Sequence, residues 1–360
     1  MLRSCVLCCA GLLSAGLAGS AEDFRLSGPY THDNLSIFLI HSSQTQPHRD
    51  FLTLEEALDQ KKVVVYETGN VNELSIENLS SKAVYVNSGD IVKGGQQDRV
   101  FPDDYVLPPM SGKVPISSFC VEPGRWTRRG SERADRFASS TDGLPTKDLK
   151  LAARQKRDQQ EVWKEVATAR QELAETFSRT DGTHPVVASG GGAGGGVASQ
   201  SAVQVHGFSP PIATSTSMQM TVEAKPVIDA TRAYIKNLSK IVEGRRDVAG
   251  YAFAINGKLN SADIYGSPEL FRSMWPKLLK SSAVEAVAGL QKEKKPSAPD
   301  GGLVKAMFAD AENGRQSSKQ IASQLQVVMK ETENAVLFES RDRKDGAWIH
   351  KSYVVKDRLN

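Results

Sequence analysis

The sequence predicts an α+β protein: a β-rich amino-terminal antiparallel sandwich or barrel, a helix-rich carboxy-terminal half, and a long helix at the join. Three observations predict it. Short runs rich in β-branched and aromatic residues recur over 35–122, separated by Gly, Asn, Asp or Pro. Residues 146–179 contain neither Gly nor Pro and carry apolar side chains at helical spacing. From 224 to 289, two amphipathic stretches enclose a single hairpin signal.

The first element is a leader. A basic Arg3, an apolar and small-residue run from Cys5 to Leu17, and Ala18-Gly19-Ser20-Ala21 read as a secretory signal peptide cleaved near Ala21. The run is too short to span a bilayer as a helix, so the mature protein is expected to be periplasmic or secreted, with no stable membrane anchor. Cleavage removes Cys5, Cys8 and Cys9 and leaves Cys120 of the four cysteines. With one thiol there is no internal disulfide, and the fold must rest on packed cores.

Strands are expected at 35–41, 63–67, 73–78, 83–88, 97–101 and 116–122, with one helical turn at 53–58 where Thr53 and Glu56 have capping-box spacing. In the long helix, Trp163, Val166, Leu173 and Phe177 form an apolar stripe, and 155–161 is polar all round. The glycine run at 190–196 cannot offset its ordering entropy and reads as a flexible insertion. It matches G-x-G-x-x-G only formally, with no strand before it and no helix after it. Next come a helix over 224–243, a hairpin over 251–265 turned by Asn256-Gly257, and a helix capped by Ser267 with Pro268 in its first turn and a kink at Pro276. The last 301–360 offer a short helix to Ala311 and three strands around Val327, Val336 and Val354. The organisation read from these elements is 1–21 signal peptide, 22–145 β-rich domain, 146–180 long helix, 181–204 insertion, 205–290 helix-hairpin-helix and 291–360 α/β extension.

Composition excludes several function classes. The 360 residues are 39% hydrophobic and 24% charged, with a formal charge of +3. That charge is too small for counterion-driven nucleic-acid binding, and no aromatic residues interleave with a basic stripe. The six histidines form neither H-x-H nor H-E-x-x-H, and there is no Walker loop or G-x-S-x-G, so no metal and no cofactor is expected.

Charge is concentrated instead in Gly89-Asp90-Ile91-Val92-Lys93-Gly94-Gly95-Gln96-Gln97-Asp98-Arg99. A two-residue turn at Gly94-Gly95 would set Lys93 against Gln96 and Asp90 against Arg99, with charge on both faces. One face must then meet solvent or a polar ligand. Two readings stay open: an Asp90–Arg99 pair that pins register on a solvated edge, or a pocket where Lys93 and Arg99 meet anionic oxygens and Gln96 or Gln97 fixes orientation. In the next cluster Glu122 and Arg125 bracket a Pro-Gly turn beside Trp126. Cys120, with no neighbouring His to activate it, reads as a buried filler. Asp90, Asp98 and Glu122 are the candidate general acids or bases.

These stretches resemble a known family. The run Gly89 to Arg99, Pro115 with Ser118 to Glu122, Gly124 with Arg125-Trp126, Gly28-Pro29-Tyr30, Glu73-Leu74, Val162-Trp163, Gly250, Gly257, Phe271 and Trp275 are similar to the ARPP-1 domain, over roughly 28–289. That domain is associated with ADP-ribosylglycohydrolases and rhodanese-phosphatase proteins. The resemblance implies that the polar hairpin belongs to the shared pattern of an exported domain. By association it implies a link to ADP-ribose or related nucleotide metabolism. The reading is a binding module for a polar or anionic, nucleotide-like or sugar-phosphate-like ligand. Its rivals are a hydrolase using Asp90, Asp98 or Glu122, and an envelope protein docking a partner through the long helix or the last strands.

Overall fold

The computed structural model describes residues 24–42, 49–181, 215–291, 297, 299–321 and 324–356. The expected signal peptide and the glycine run at 190–196 lie outside the described residues. β1 (Arg25–His32) pairs with β2 (Leu35–His41), whose side chains are buried on both faces. Leu35, Ile37 and Leu39 enter one core while Phe38 and Ile40 enter another, as the twofold period of a strand requires.

β2 pairs in turn with β13 (Val248–Ile255), and the sheet continues through β14 (Lys258–Tyr265), β18 (Trp348–Val355), β17 (Ala335–Asp342), β16 (Leu325–Glu331) and β15 (Arg315–Gln320), antiparallel throughout. One face is covered by α5 (Lys225–Leu238) and α6 (Pro268–Ala288), the other by α7 (Gly301–Glu312). The β13–β14 turn has Asn256 at φ 53° and Gly257 at φ 78°, the left-handed pair that an Asn-Gly hairpin needs. Ser267 caps α6, which runs on through Pro276 as one helix.

This corrects the expected division into a β-rich half and a helix-rich half. Six of the eight strands of the largest sheet come from beyond residue 247. The four strands of the carboxy-terminal region include β15, Arg-Gln-Ser-Ser-Lys-Gln, an exposed edge with no apolar residue to announce it. The amino-terminal part is not one sandwich or barrel either. It forms three short sheets: β4 (Val63–Asn70), β5 (Glu73–Asn78) and β10 (Gly112–Ser117); β3 (Phe51–Thr53), β6 (Ala83–Val86) and β9 (Tyr105–Leu107); and β11 (Phe119–Cys120), β8 (Arg99–Val100), β7 (Asp90–Gly94) and β12 (Phe137–Gly143). Strands of two or three residues between turns cannot sustain one continuous ladder, and β3 and β6 pair in parallel.

The long helix is also divided. α2 (Lys147–Leu151) passes into a π-helical turn, Ala152–Lys156, and Arg157 takes a left-handed φ of 54° before α3 (Gln159–Asp181). Asp158 causes the restart. Its Oδ1 accepts the N–H groups of Gln160 and Glu161 at 2.8 and 3.0 Å, so it serves as a helix cap. Thr53 and Glu56 close the capping box of α1 (Leu54–Asp59) as their spacing predicts.

Candidate functional site

β7 and β8 pair with Ile91 opposite Val100 and Val92 opposite Arg99. Residues 95–98 therefore join them, and the two-residue Gly94-Gly95 turn with its Asp90–Arg99 cross-strand pair does not form. The cause is local. Asp98 Oδ1 accepts the Gly94 N–H at 3.1 Å and closes the connection from within. Gly95 takes a φ of +55°, and a Cβ there would lie 2.3 Å from Phe137 Cζ.

Asp98 is fully buried and gathers donors from three segments. Its Oδ2 accepts Arg129 Nη1 at 2.9 Å and Ser217 Oγ at 2.8 Å, and its Oδ1 accepts Arg129 Nη2 at 3.1 Å and Arg125 Nη2 at 3.4 Å. Glu122 Oε2 accepts the Asp98 N–H at 3.2 Å and lies 2.6 Å from Arg125 Nη2, and its Oε1 accepts Arg129 Nη1 at 3.3 Å. No oxygen of either acid is left without a donor. Asp98 and Glu132 hold the Arg129 guanidinium above its ordinary pKa, against the opposing effect of burial.

Arg99 sits beneath this layer with 0% exposure. Its Nη1 donates to Gln97 Oε1 at 3.1 Å, and Gln97 Nε2 donates to the Glu122 carbonyl at 3.1 Å. Glu67 Oε2 lies 3.7 Å from Arg99 Nη2, while Nε and Nη2 have no hydrogen-bond partner among the described residues. Burial pulls the guanidinium below its ordinary pKa. Trp126 covers it, with Arg99 Cζ 5.7 Å from the ring centroid, and yet remains 44% exposed. Arg128, two residues along the loop, is exposed with no ion pair among the described residues. Cys120, opposite Arg99, donates its thiol to the Glu122 carbonyl, and burial raises its pKa, so it is a packed group and not an activated nucleophile.

The structure thus brings together Gln97, Asp98, Arg99, Glu122, Arg125 and Trp126. It sets two others apart: Lys93 pairs with Glu223 at 2.7 Å, and Asp90 faces a different centre. Gln96 contributes its backbone N–H to Glu67 Oε2 at 3.1 Å. Sequence reasoning missed Arg129, Glu67 and Ser217. Arg129 had a signal, the arginine density of 125–136. Ser217 had none, because it arrives from the start of α4 (Met218–Val222), far along the chain. Among the described residues no group of three His, Cys, Asp or Glu is placed to hold a metal.

The ARPP-1 family model, the ARG and rhodanese-phosphatase-superfamily-associated protein domain, matches residues 23–354. The chain belongs to the ARPP-1 domain family. The match runs past the expected 28–289 to take in β15 to β18, the strands that complete the largest sheet of this ARPP-1 domain. No curated protein and no solved structure matches the chain. No helix among the described residues is long and apolar enough to cross a membrane.

Within the ARPP-1 domain, Asp90 belongs to a buried polar centre. Its carboxylate accepts the Asn87 N–H at 2.9 Å and pairs with Lys277 Nζ at 2.9 Å. Nearby, His350 Nδ1 lies 3.0 Å from Asp104 and its Nε2 3.2 Å from Asp263, with the Tyr265 ring stacked on it at 4.5 Å. Burial opposes a charge on His350, but the two carboxylates outweigh it and raise its pKa. Both acids are held well below the usual carboxylate range, although burial acts against this for each of them. The cavity beside them, about 30 Å³, has room for about two waters.

Proposed function

We propose that this ARPP-1 domain is an exported binding module that takes a polar, anionic ligand bearing a ring, of the nucleotide or sugar-phosphate kind, at the loop between β11 and β12. One observation carries the reading: Trp126 is held over the buried Arg99 guanidinium with 44% of its surface left open. An indole fixed from below and open above is a stacking platform. The exposed guanidinium of Arg128, without an ion pair among the described residues, supplies the bidentate donor that a phosphate or carboxylate prefers. The leader-like residues 1–21 support export.

Hydrolysis by Asp98 or Glu122 is the weaker reading. A general base needs an oxygen open to water or substrate. In both acids each oxygen already accepts a donor from Arg125, Arg129, Ser217 or the backbone.

A thermal-shift screen of the protein against ADP-ribose, nucleotides and sugar phosphates tests the proposal. The expected result is a raised Tm with at least one of these, lost in Trp126→Ala or Arg128→Ala. A flat screen, or a shift that survives both substitutions, rejects it.

A further inference from the structure

A second polar group is built from β1, β2 and the residue before β13, at one edge of the largest sheet. Arg25 and Ser27 are two residues apart on β1 and share a face, and the β1–β2 register sets Arg25 opposite His41 and Ser27 opposite Leu39. On its other side His41 pairs with Val248, the first residue of β13, and Asp247 stands just before it. Three side chains distant in sequence therefore meet. Ser27 Oγ lies 2.8 Å from His41 Nε2, and His41 Nδ1 lies 3.0 Å from Asp247 Oδ2. That is the order of contacts of a serine nucleophile, an imidazole base and an orienting carboxylate, a constellation defined by geometry and not by chain order. Access fits the roles: His41 is 5% exposed, while Ser27 is half-buried on an edge strand. The register shifts between Ser27 and Tyr30, a bulge immediately after the hydroxyl, and bulges re-aim side chains.

The tautomer of His41 decides whether the hydroxyl is activated. Arg25 Nη2 lies 2.8 Å from His41 Nδ1 and 2.6 Å from Asp247 Oδ2. Nδ1 cannot accept from Arg25 and donate to Asp247 at once. The carboxylate is the stronger partner, and a guanidinium already engaged by it has less to offer a neutral nitrogen. The proton therefore rests on Nδ1, and Nε2 is left to accept from Ser27. Burial works against a charge on Asp247, but its contacts with His41 and Arg25 outweigh this and hold its carboxyl below the ordinary pKa.

We infer that Ser27, His41 and Asp247 hydrolyse a carboxylic ester. Ser27 Oγ attacks the carbonyl carbon while His41 Nε2 takes its proton; the tetrahedral intermediate then breaks its bond to the alcohol oxygen, which leaves with that proton. Water attacks the acyl carbon, passes a proton to Nε2 and releases the acid, and the proton returns to Ser27 Oγ. Asp247 is a positioning residue that holds the ring and offsets the imidazolium charge. Arg25, whose Nε and Nη1 make no hydrogen bond among the described residues, brings positive charge to the oxyanion. Half of the Asp247 side chain is exposed, so it steadies an imidazolium less than a buried aspartate would. That suits an ester, whose alcohol leaves more readily than the amine of an amide. The site shares no residue with the Trp126 loop, and neither reading depends on the other.

Two measurements on the purified protein test this: labelling with a fluorophosphonate, the adduct being located by peptide mass spectrometry, and steady-state hydrolysis of p-nitrophenyl butyrate. The adduct is expected on Ser27. Turnover should fall to the buffer rate in Ser27→Ala, and kcat should fall about a hundredfold, with KM little changed, in His41→Gln. Asp247→Asn should slow both labelling and turnover while its Tm stays near the parent's, a split that a purely structural contact would not produce. His32→Gln removes another imidazole of β1, one that lies 3.6 Å from Asp33, and should react as the parent does. Labelling of the parent needs no variant, so it decides even where a substitution unfolds the chain. No adduct on Ser27, or turnover undiminished in Ser27→Ala, overturns the proposal, and either result leaves the Trp126 reading untouched.

Discussion

Arg129 holds Asp98 with both ends of its guanidinium, Nη1 2.9 Å from Oδ2 and Nη2 3.1 Å from Oδ1, beneath the loop that presents Trp126. The same carboxylate closes the β7–β8 connection through Gly94, so one buried charge fixes both the hairpin and its cover.

Asp98→Ala should therefore be costly. It strands the guanidiniums of Arg125 and Arg129 and frees the hairpin connection, and the expected loss is about 3–5 kcal/mol in urea unfolding with the slope unchanged. A variant within about 1 kcal/mol of the parent would show that the cluster is solvated and contributes little.

Trp126 and Arg128 should behave in the opposite way. Both are exposed, so alanine at either position should leave stability within about 0.5 kcal/mol of the parent while removing any ligand-induced rise in Tm. Loss of fold in either variant would contradict their placement at the surface.

Arg99 joins the two behaviours. As a solvated edge pair it would tolerate replacement, but it is fully buried against Glu67 and Gln97. Arg99→Ala should cost about 3–5 kcal/mol in the protein without ligand, from an abandoned carboxylate and an unfilled space. Equilibrium denaturation of the variant decides; a near-neutral change would show that the buried contacts of Arg99 with Glu67 and Gln97 contribute little.

His350 should make stability fall as pH rises. Its folded pKa lies above its unfolded value of about 6.5, so its contribution is complete below about 6.5 and is lost as pH rises through the higher folded value. Asp104 and Asp263 act in the other direction: their contribution is complete above about 4 and disappears as pH falls through their depressed folded values. Denaturant midpoints between pH 5 and 9 should decline on the alkaline side, and His350→Gln should flatten that decline. A parent profile that rises above pH 7 would mean that His350 is neutral in the fold.

What could be read in the sequence was local. Thr53 with Glu56, Ser267 with Pro268, and Asn256-Gly257 each carry their instruction within a few residues, and each does what its chemistry requires. The break in the long helix was not read, although Asp158 and Glu161 have the spacing of a cap. The β2–β13 pairing was not, because nothing near Ile37 names Phe253 as its partner. The register of β7 and β8 turned on the length of their connection, which Asp98 sets by bonding to Gly94, a contact that composition does not announce. The members of the charged hairpin divide between two centres because strand direction sends Asp90 towards Lys277 and Asp98 towards Arg129.

The position of β18 has a consequence for timing. It lies between β14 and β17, so the last described strand to leave the ribosome is an interior strand of the largest sheet. Until it arrives, β1-β2-β13-β14 and β15-β16-β17 are separate pieces, each with an open edge towards the missing strand. Pairings between strands so distant in the chain form slowly. Synthesis alone thus postpones completion of the core until the chain is all but finished.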